Sequence, residues 1–334
     1  MTKTEVKQEM RTLEKHIKYH NYRYYTLNQP EISDKEYDEM FYRLQELEKD
    51  YPDLKSDNSP TEQVGSDILK NTLDKVEHKS EMLSLDKARD SNELKDWLED
   101  MYDKVGEVQL GLYLKADGLS VTLTYNEEGY LQKAVTRGNG QIGEDVTHSA
   151  LQIPNIDNRI ETAEPKTVRG EVFLPIRHLE TINETRLNED LTEYTNCRNA
   201  ASGILRNKEV SDYIKYLEFH PHNYDELFID TTTLKPKNIA KITKTCQNIE
   251  DNRGYIHFDI DGVVLKIEDK KVREELGSTS HHPRWAIAFK FKAESETTIL
   301  KDIEYQISRT GRINPVGIIE PVELVGAKLS KVTL

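Results

Sequence analysis

The hydrophobic period of this chain changes near residue 108, and that change limits the folds open to it. Before it, apolar residues recur every three or four positions: Val6, Met10, Leu13, Ile17 and Tyr24 in one stretch, then Tyr37, Phe41, Leu44 and Leu47 in another. This spacing predicts two amphipathic helices within residues 1–70. "SDKE" at 33–36 reads as a capping box, in which Ser33 caps the backbone and Glu36 returns the bond. "NSPTEQVG" (58–65) is a turn-rich linker. After 108 the period is two. "VQLGLYLKA", "LSVTLTY", "YLQKAVTR", "KTVRGEVFLP", "DIDGVVLKI" and "WAIAFKFKA" read as strands, with helix-like stretches such as "HLETINETRLNEDL" and "PKNIAKITKTCQNI" between them. Strands outnumber convincing βαβ units, so the expected class is α+β with antiparallel sheets.

The 334 residues suggest two or three domains. A formal charge of −14 argues against the chain being a strong non-specific clamp on DNA or on an anionic membrane, although local basic patches can still bind nucleic acid. Two cysteines, Cys197 and Cys246, exclude a four-cysteine zinc site within this chain, give no disulfide framework and fit a reducing compartment. No run of about 18 apolar residues exists and residues 1–10 are polar, so neither a membrane span nor a secretory signal is expected. The histidines of "HPH" (His220, His222) and "HHP" (His281, His282) read as surface loops beside proline.

Alternation assigns faces. In "LGLYLK", Leu110, Leu112 and Leu114 share one side, and Gly111, Tyr113 and Lys115 the other. Lys266 and Lys290 likewise stand opposite apolar layers in their own strands, and Asp-Gly follows Lys115 at 117–118. A solvated face explains any one of these lysines; three together point to a cleft that holds phosphate. A lysine amine attacks phosphorus only when neutral. Bringing its pKa from about 10.4 to near 7 takes roughly 4–5 kcal/mol of differential destabilisation of the charged form. Neighbouring cations and partial burial supply it, and the same cations stabilise charge on a phosphate oxygen in the transition state. Lys115 is the candidate nucleophile, Lys266 and Lys290 its companions, and Asp117 a metal ligand or the group that orients the amine. Asp34, Tyr37 and Asp38 lie at i, i+3 and i+4 on one helical face. Gly138, Gly140 and Gly143 form a G-x-G-x-x-G arrangement, but the βαβ setting of a redox dinucleotide site is lacking, and a tight hairpin is expected there.

"KADG" (115–118), "VRGEVF" (168–173), "DIDGVVLK" (259–266) and "RWAIAFKF" (284–291) stand in the order of the motifs of covalent nucleotidyltransferases. "HNYRYYTLNQPEISDKEYDEMFYRLQELE" (20–48), "MLSLDKA" (82–88), "TRGNGQIGEDVT" (136–147) and "CRNAASGILR" (197–206) narrow the likeness. Over nearly its whole length the chain resembles the adenylation region of bacterial-type NAD-dependent DNA ligases. The resemblance implies a helical nicotinamide mononucleotide-binding domain (1–70), a nucleotidyltransferase domain of ATP-grasp-like form (71–293) and the truncated start of an oligonucleotide-binding barrel (294–334). It implies NAD as AMP donor, Mg²⁺, nicked duplex DNA as partner, a monomer, and a cytoplasmic setting. Tyr24, Tyr25, Asp34, Tyr37 and Asp38 would grip the nicotinamide half; Ser84 and Leu85 would contact adenosine. Tyr113 would meet adenine, Arg137 and Glu171 would bind the nucleotide, and Lys266 and Lys290 its phosphate side. Lys115, Asp117 and Lys290 would carry the chemistry, and Arg198 and Arg206 would reach DNA.

The chain departs from the family's pattern at Tyr113, where an acidic residue is usual, and at Asn139, Cys197 and Lys292. Two alternatives follow: an ATP-using RNA ligase or capping-type nucleotidyltransferase, against which the helices at 1–70 speak, and a non-catalytic DNA-binding scaffold derived from a ligase.

Overall fold

The computed structural model describes residues 3–21, 32, 34–56, 59–62, 73–80, 82–222, 227–279, 282–292, 297–307, 313–324 and 327–333. Tyr24, Tyr25, Ser33 and His281 lie outside them, as does part of the 58–65 linker.

Two helices, α1 (Lys3–Asn21) and α2 (Asp34–Asp50), form where the spacing predicts. Their stripes meet. Val6, Met10, Ile17, Leu44 and Leu47 are buried, with Leu13, Tyr37, Met40 and Phe41 packed around them. Each full burial is worth about 1.5–3 kcal/mol, which holds together helices that would be marginal alone.

Short strands β1 (Lys75–Glu77) and β2 (Asp86–Ala88) lead into α3 (Ser91–Val105). Asp90 caps α3, accepting from the N–H groups of Asn92 and Glu93. Next come β3 (Gln109–Ala116), β4 (Leu119–Tyr125), β5 (Leu131–Thr136), β6 (Ile142–Glu144), α4 (Thr147–Ala150) and β7 (Lys166–Phe173). Then follow α5 (Leu179–Asn188), α6 (Cys197–Leu205), β8 (Glu218–Pro221), β9 (Phe228–Thr233), α7 (Pro236–Asp251), β10 (Ile260–Ile267), α8 (Lys270–Leu276) and β11 (Ala286–Lys290).

Two sheets carry the middle of the chain. One runs β2-β11-β10-β3-β9, antiparallel except where β2 lies parallel to β11. Its inner face (Leu110, Leu112, Val263, Leu265, Ile287, Phe289) is covered by Leu94, Leu98 and Met101 of α3 and by Ile239, Ile242 and Cys246 of α7. The other runs β5-β4-β7-β8, all antiparallel. Val121, Leu123 and Val172 pack against Ala200, Ala201, Ile204 and Leu205 of α6. Ser120, Thr122, Thr124, Arg169 and Glu171, from the alternate positions, line a cavity shared with the first sheet. Mixed helices and antiparallel sheets make this an α+β chain. A further antiparallel sheet orders β12 (Leu300–Ile307), β13 (Ile313–Leu324) and β14 (Ala327–Thr333). Among the described residues no helix is long and apolar enough to cross a membrane.

The reading of His220 as a surface-loop residue fails. It lies in β8, 2% exposed, with its ring 4.8 Å from that of Phe173. Its neighbour Phe219 is buried as well, and the His220 ring packs between the sheets beside Phe173 and Phe258.

Candidate active site

Register builds the site. Antiparallel pairing of β3, β10 and β11 lays side chains in rows across the sheet. The first row holds Lys115, Gly262 and Lys290, the second Tyr113, Val264 and Ala288, and the third Gly111, Lys266 and Ala286. These rows floor a cavity of about 1730 Å³ whose other walls come from β4, β7, the segment around Ser84 and Leu85, and α2.

Lys115 donates to both carboxylate oxygens of Asp261, at 2.6 and 2.8 Å. Its side chain is 29% exposed, so it faces the cavity without reaching into open water. Burial pushes the Asp261 carboxyl up. The Lys115 ammonium, with help from Lys290 and Arg198, outweighs that and holds it below the ordinary carboxylate range. Asp117 meets Arg198 at 2.5 Å, and its backbone N–H donates to the Asp259 carbonyl at 2.8 Å. Burial, reinforced by the charge of Asp261, raises the Asp117 carboxyl against the pull of Arg198. The carboxylate on the amine is therefore Asp261, and Asp117 anchors an arginine instead. Gly118 serves the frame: a Cβ there would sit 2.2 Å from the Val172 carbonyl oxygen.

The lysine companions divide. Lys290 shares the row of Lys115. Lys266 stands four residues along, about 13 Å for the backbone, with its ammonium 3.6 Å from the centre of the Tyr113 ring and donating to the His222 carbonyl at 3.2 Å. Burial lowers its pKa to about 8, Glu268 opposing and Arg273 adding. The cation that joins Lys290 beside the Lys115–Asp261 pair is Arg198, not Lys266.

Asp38 of α2 bridges Lys290, at 3.3 Å, and Lys87, at 3.2 Å, so the helical unit touches the cleft at the row of Lys115 and Lys290. Tyr37 lines the cavity and also packs on the helical core beside Phe41. Asp34 opens α2, and its side chain lies outside the described residues. Ser84, Leu85, Arg137 and Glu171 all line the cavity. Glu171, 15% exposed, has His222 at 3.6 Å. Arg206 is paired with Glu144 at 2.5 Å.

The departures have structural explanations. Asn139 accepts from the N–H groups of Gln141 and Ile142, closing the turn that Gly138 (φ 57°) and Gly140 (φ 90°) permit. The G-x-G-x-x-G stretch is that turn. Cys197 is buried at the start of α6, and burial pushes its thiol up. Lys292 is exposed just past β11. Asp261, Glu268 and Trp285 were not singled out from sequence; of these, Asp261 and Trp285 line the cavity.

Residues 70–226 and 226–294 match the family described as NAD-dependent DNA ligase adenylation domain. Residues 3–65 match the DNA ligase-like N-terminal NAD+-binding domain. Similar proteins are the DNA ligases of Fervidobacterium nodosum (39% identical, over 100% of this chain and 52% of that protein), Halothermothrix orenii (38%, 99% and 52%) and Bacillus licheniformis (35%, 100% and 53%). The chain spans about half the length of the curated relatives it matches. With its adenylation and NAD+-binding portions both matched, the chain belongs to the NAD-dependent DNA ligase family.

Proposed function

We propose that this chain performs NAD-dependent self-adenylation, the opening step of sealing nicks in duplex DNA. The observation that carries the reading is the Lys115 amine held by Asp261 in the row of Lys290, at the point where Asp38 of the helical unit enters the cleft. Asp261 takes a proton from Lys115 across the 2.6 Å hydrogen bond, leaving a neutral amine. Its lone pair attacks the α-phosphorus of NAD. The N–P bond forms, the bond from that phosphorus to the bridging oxygen breaks, nicotinamide mononucleotide leaves with the bridging oxygen, and the nitrogen sheds its second proton to solvent. Lys290 and Arg198 stabilise charge on the non-bridging oxygens.

The helical unit, residues 1–70, grips the nicotinamide half through Tyr24, Tyr25, Asp34, Tyr37 and Asp38. Aromatic faces suit a cationic pyridinium ring. In the adenylation domain, residues 71–293 with an ATP-grasp-like form, Ser84 and Leu85 contact adenosine and Glu171 its ribose, with Arg137 on the nucleotide. Residues 294–334, the sheet β12-β13-β14, open an oligonucleotide-binding barrel. Arg198 and Arg206 exchange their carboxylate partners for DNA phosphate after adenylation. The chain acts as a monomer in the cytoplasm, where nicked DNA receives the AMP.

Among the described residues no group of three or more His, Cys, Asp or Glu is placed to hold a metal by itself. Mg²⁺ commonly takes one or two carboxylates and completes its shell with substrate phosphate and water. Asp117, beside the reacting amine, would supply such a carboxylate, and the ion would neutralise pyrophosphate charge.

Intact-mass measurement after incubation with NAD and Mg²⁺ tests this. One AMP should add to the parent and none to Lys115→Ala. An adduct from ATP but not NAD would reassign the donor, and an adduct retained by Lys115→Ala would reassign the nucleophile.

A further inference from the structure

Helix α2 meets the segment that joins β2 to α3 at two points. Asp38 and Tyr42 stand four residues apart on α2, about 6 Å along its axis and on one face. Lys87, in β2, and Arg89, just past its end, stand two residues apart, about 7 Å along extended backbone. The spacings match and the pairs meet. Lys87 reaches the Asp38 carboxylate at 3.2 Å, and the Arg89 guanidinium stacks 4.3 Å from the centre of the Tyr42 ring. Arg89 is itself held in place: its Nε and its backbone N–H each donate to the carboxylate of Glu93, in the first turn of α3, at 2.8 Å. Tyr42 is backed by Phe41, edge-on with ring centres 6.3 Å apart, which packs on the helical core. Burial, with Asp38 adding, pushes the Tyr42 hydroxyl up to about 12, so the guanidinium meets a neutral ring.

The two points differ in what a ligand does to them. Asp38 is shared between Lys87 and Lys290. In the reading above, Lys290 turns to phosphate and Asp38 to the nicotinamide half, so both ion pairs of Asp38 compete with the dinucleotide. The Arg89–Tyr42 stack does not. Tyr42 and Lys87 line the cavity, whereas Arg89 lies outside it, and no step of the chemistry draws on the guanidinium. The strand that carries this segment is fixed in turn, because β2 lies parallel against β11, with Lys87 opposite Ala288, in the sheet that bears Lys290.

We infer that Arg89, locked onto Glu93, is the seat of α2: stacked on Tyr42, it keeps the helical unit over the row of Lys115 and Lys290 while Asp38 exchanges its lysines for the dinucleotide. Arg89 is a positioning residue, acting through Tyr42 from outside the pocket. The inference rests on the reading above that the helical unit grips the nicotinamide half of NAD. A chain whose α2 is seated is ready to bind. One whose α2 has lifted must first be drawn back, so the apparent affinity falls with the seated fraction while the rate from the saturated complex stays the same.

The test follows lysyl-AMP formation on the 334-residue chain over a range of NAD concentrations, with Mg²⁺, for the parent, Arg89→Met, Tyr42→Leu, the double variant and Tyr42→Phe. Arg89→Met should raise the half-saturating NAD concentration about fivefold, the worth of one partly buried stack, and leave the rate at saturation near the parent's. That retained rate shows the variant folded. Tyr42→Leu should raise it at least as much, and adding Arg89→Met to Tyr42→Leu should change nothing further, because the contact is already gone. Tyr42→Phe keeps the ring and should keep the parent's value. An unchanged half-saturation in Arg89→Met, an equal effect of Arg89→Met in the Tyr42→Leu background, or a loss confined to the rate at saturation overturns the inference while leaving adenylation standing. Absence of an adduct from NAD on the parent overturns both.

Discussion

Lys266→Met removes an ammonium that the fold buries at 6% exposure and keeps at a pKa of about 8. The drop from an ordinary value of 10.5 is worth about 3 kcal/mol against the folded state when the amine is charged. Methionine also loses the cation–π contact with Tyr113, about 1–2 kcal/mol, and the bond to the His222 carbonyl, about 1 kcal/mol. Near pH 7 these terms almost cancel, so a single melt decides nothing. The pH dependence does decide, because linkage depends only on the two pKa values. An amine whose pKa is lower folded than unfolded weakens the fold fully below its folded value and not at all above its unfolded one. Between pH 7 and pH 9.5 the parent should therefore gain about 2 kcal/mol relative to Lys266→Met. Urea midpoints at the two pH values, at equal slope, measure it. A difference that stays flat, or that runs the other way, would show that Lys266 is not held in the buried, charge-penalised setting described.

Three further outcomes follow from named contacts. Asp261→Asn should slow lysyl-AMP formation about 10²–10³-fold with little change in KM for NAD; an unaltered rate removes Asp261 as proton acceptor. Because its carboxyl lies below the ordinary range, whatever stability the parent holds over that variant should persist above its unfolded pKa and be lost as pH falls through the folded value, a profile visible in acid melts. Leu44→Ala, at a fully buried position, should cost about 2–5 kcal/mol and speed hydrogen exchange in α1 and α2 while β3 and β10 stay protected; uniform loosening would contradict separate cores. Asn196→Ala removes the side chain that accepts from the Asn199 N–H at the head of α6 and should cost about 1 kcal/mol, recovered by Asn196→Asp; no loss would mean the cap is idle.

The elements were legible because their burial is one-sided. Strands β3, β4, β7, β10 and β11 and helices α1, α2 and α7 each bear apolar residues at the period their geometry imposes. Lys115 and Lys290 were legible for the same reason, being polar positions opposite an apolar layer. What failed depended on neighbours that sequence separation hides. The prolines beside His220 read as a loop, but Phe173 and Phe258, distant in sequence, cover its ring. Lys266 shares the strand pattern of Lys115 and lines the same cavity, but only the register shows that it pairs with Gly111, two rows away. Glu268 reaches Tyr113 across 155 residues, through a space whose only sequence trace is the glycine at 111.

Asp261 shows why alternation alone hides the residue closest to the amine. Val263 and Leu265, two and four positions later, are fully buried in the apolar core, so strict period two would drive Asp261 into that same core. The pairing of β10 with β3 shifts between Ile260 and Gly262: Ile260 faces Ala116 and Gly262 faces Lys115, which leaves Asp261 as the extra residue of a bulge. A bulge re-aims the side chain it carries, and here it turns a carboxylate out of the core and onto Lys115. The Phe291 N–H, donating to the Asp261 carbonyl at 3.0 Å, satisfies one backbone acceptor that the shifted pairing releases. Removing the irregularity would carry the charge back among Val263, Leu265 and their neighbours, where an unpaired carboxylate is strongly disfavoured. The same break in register that spoils the strand pattern thus delivers a carboxylate to the Lys115 amine.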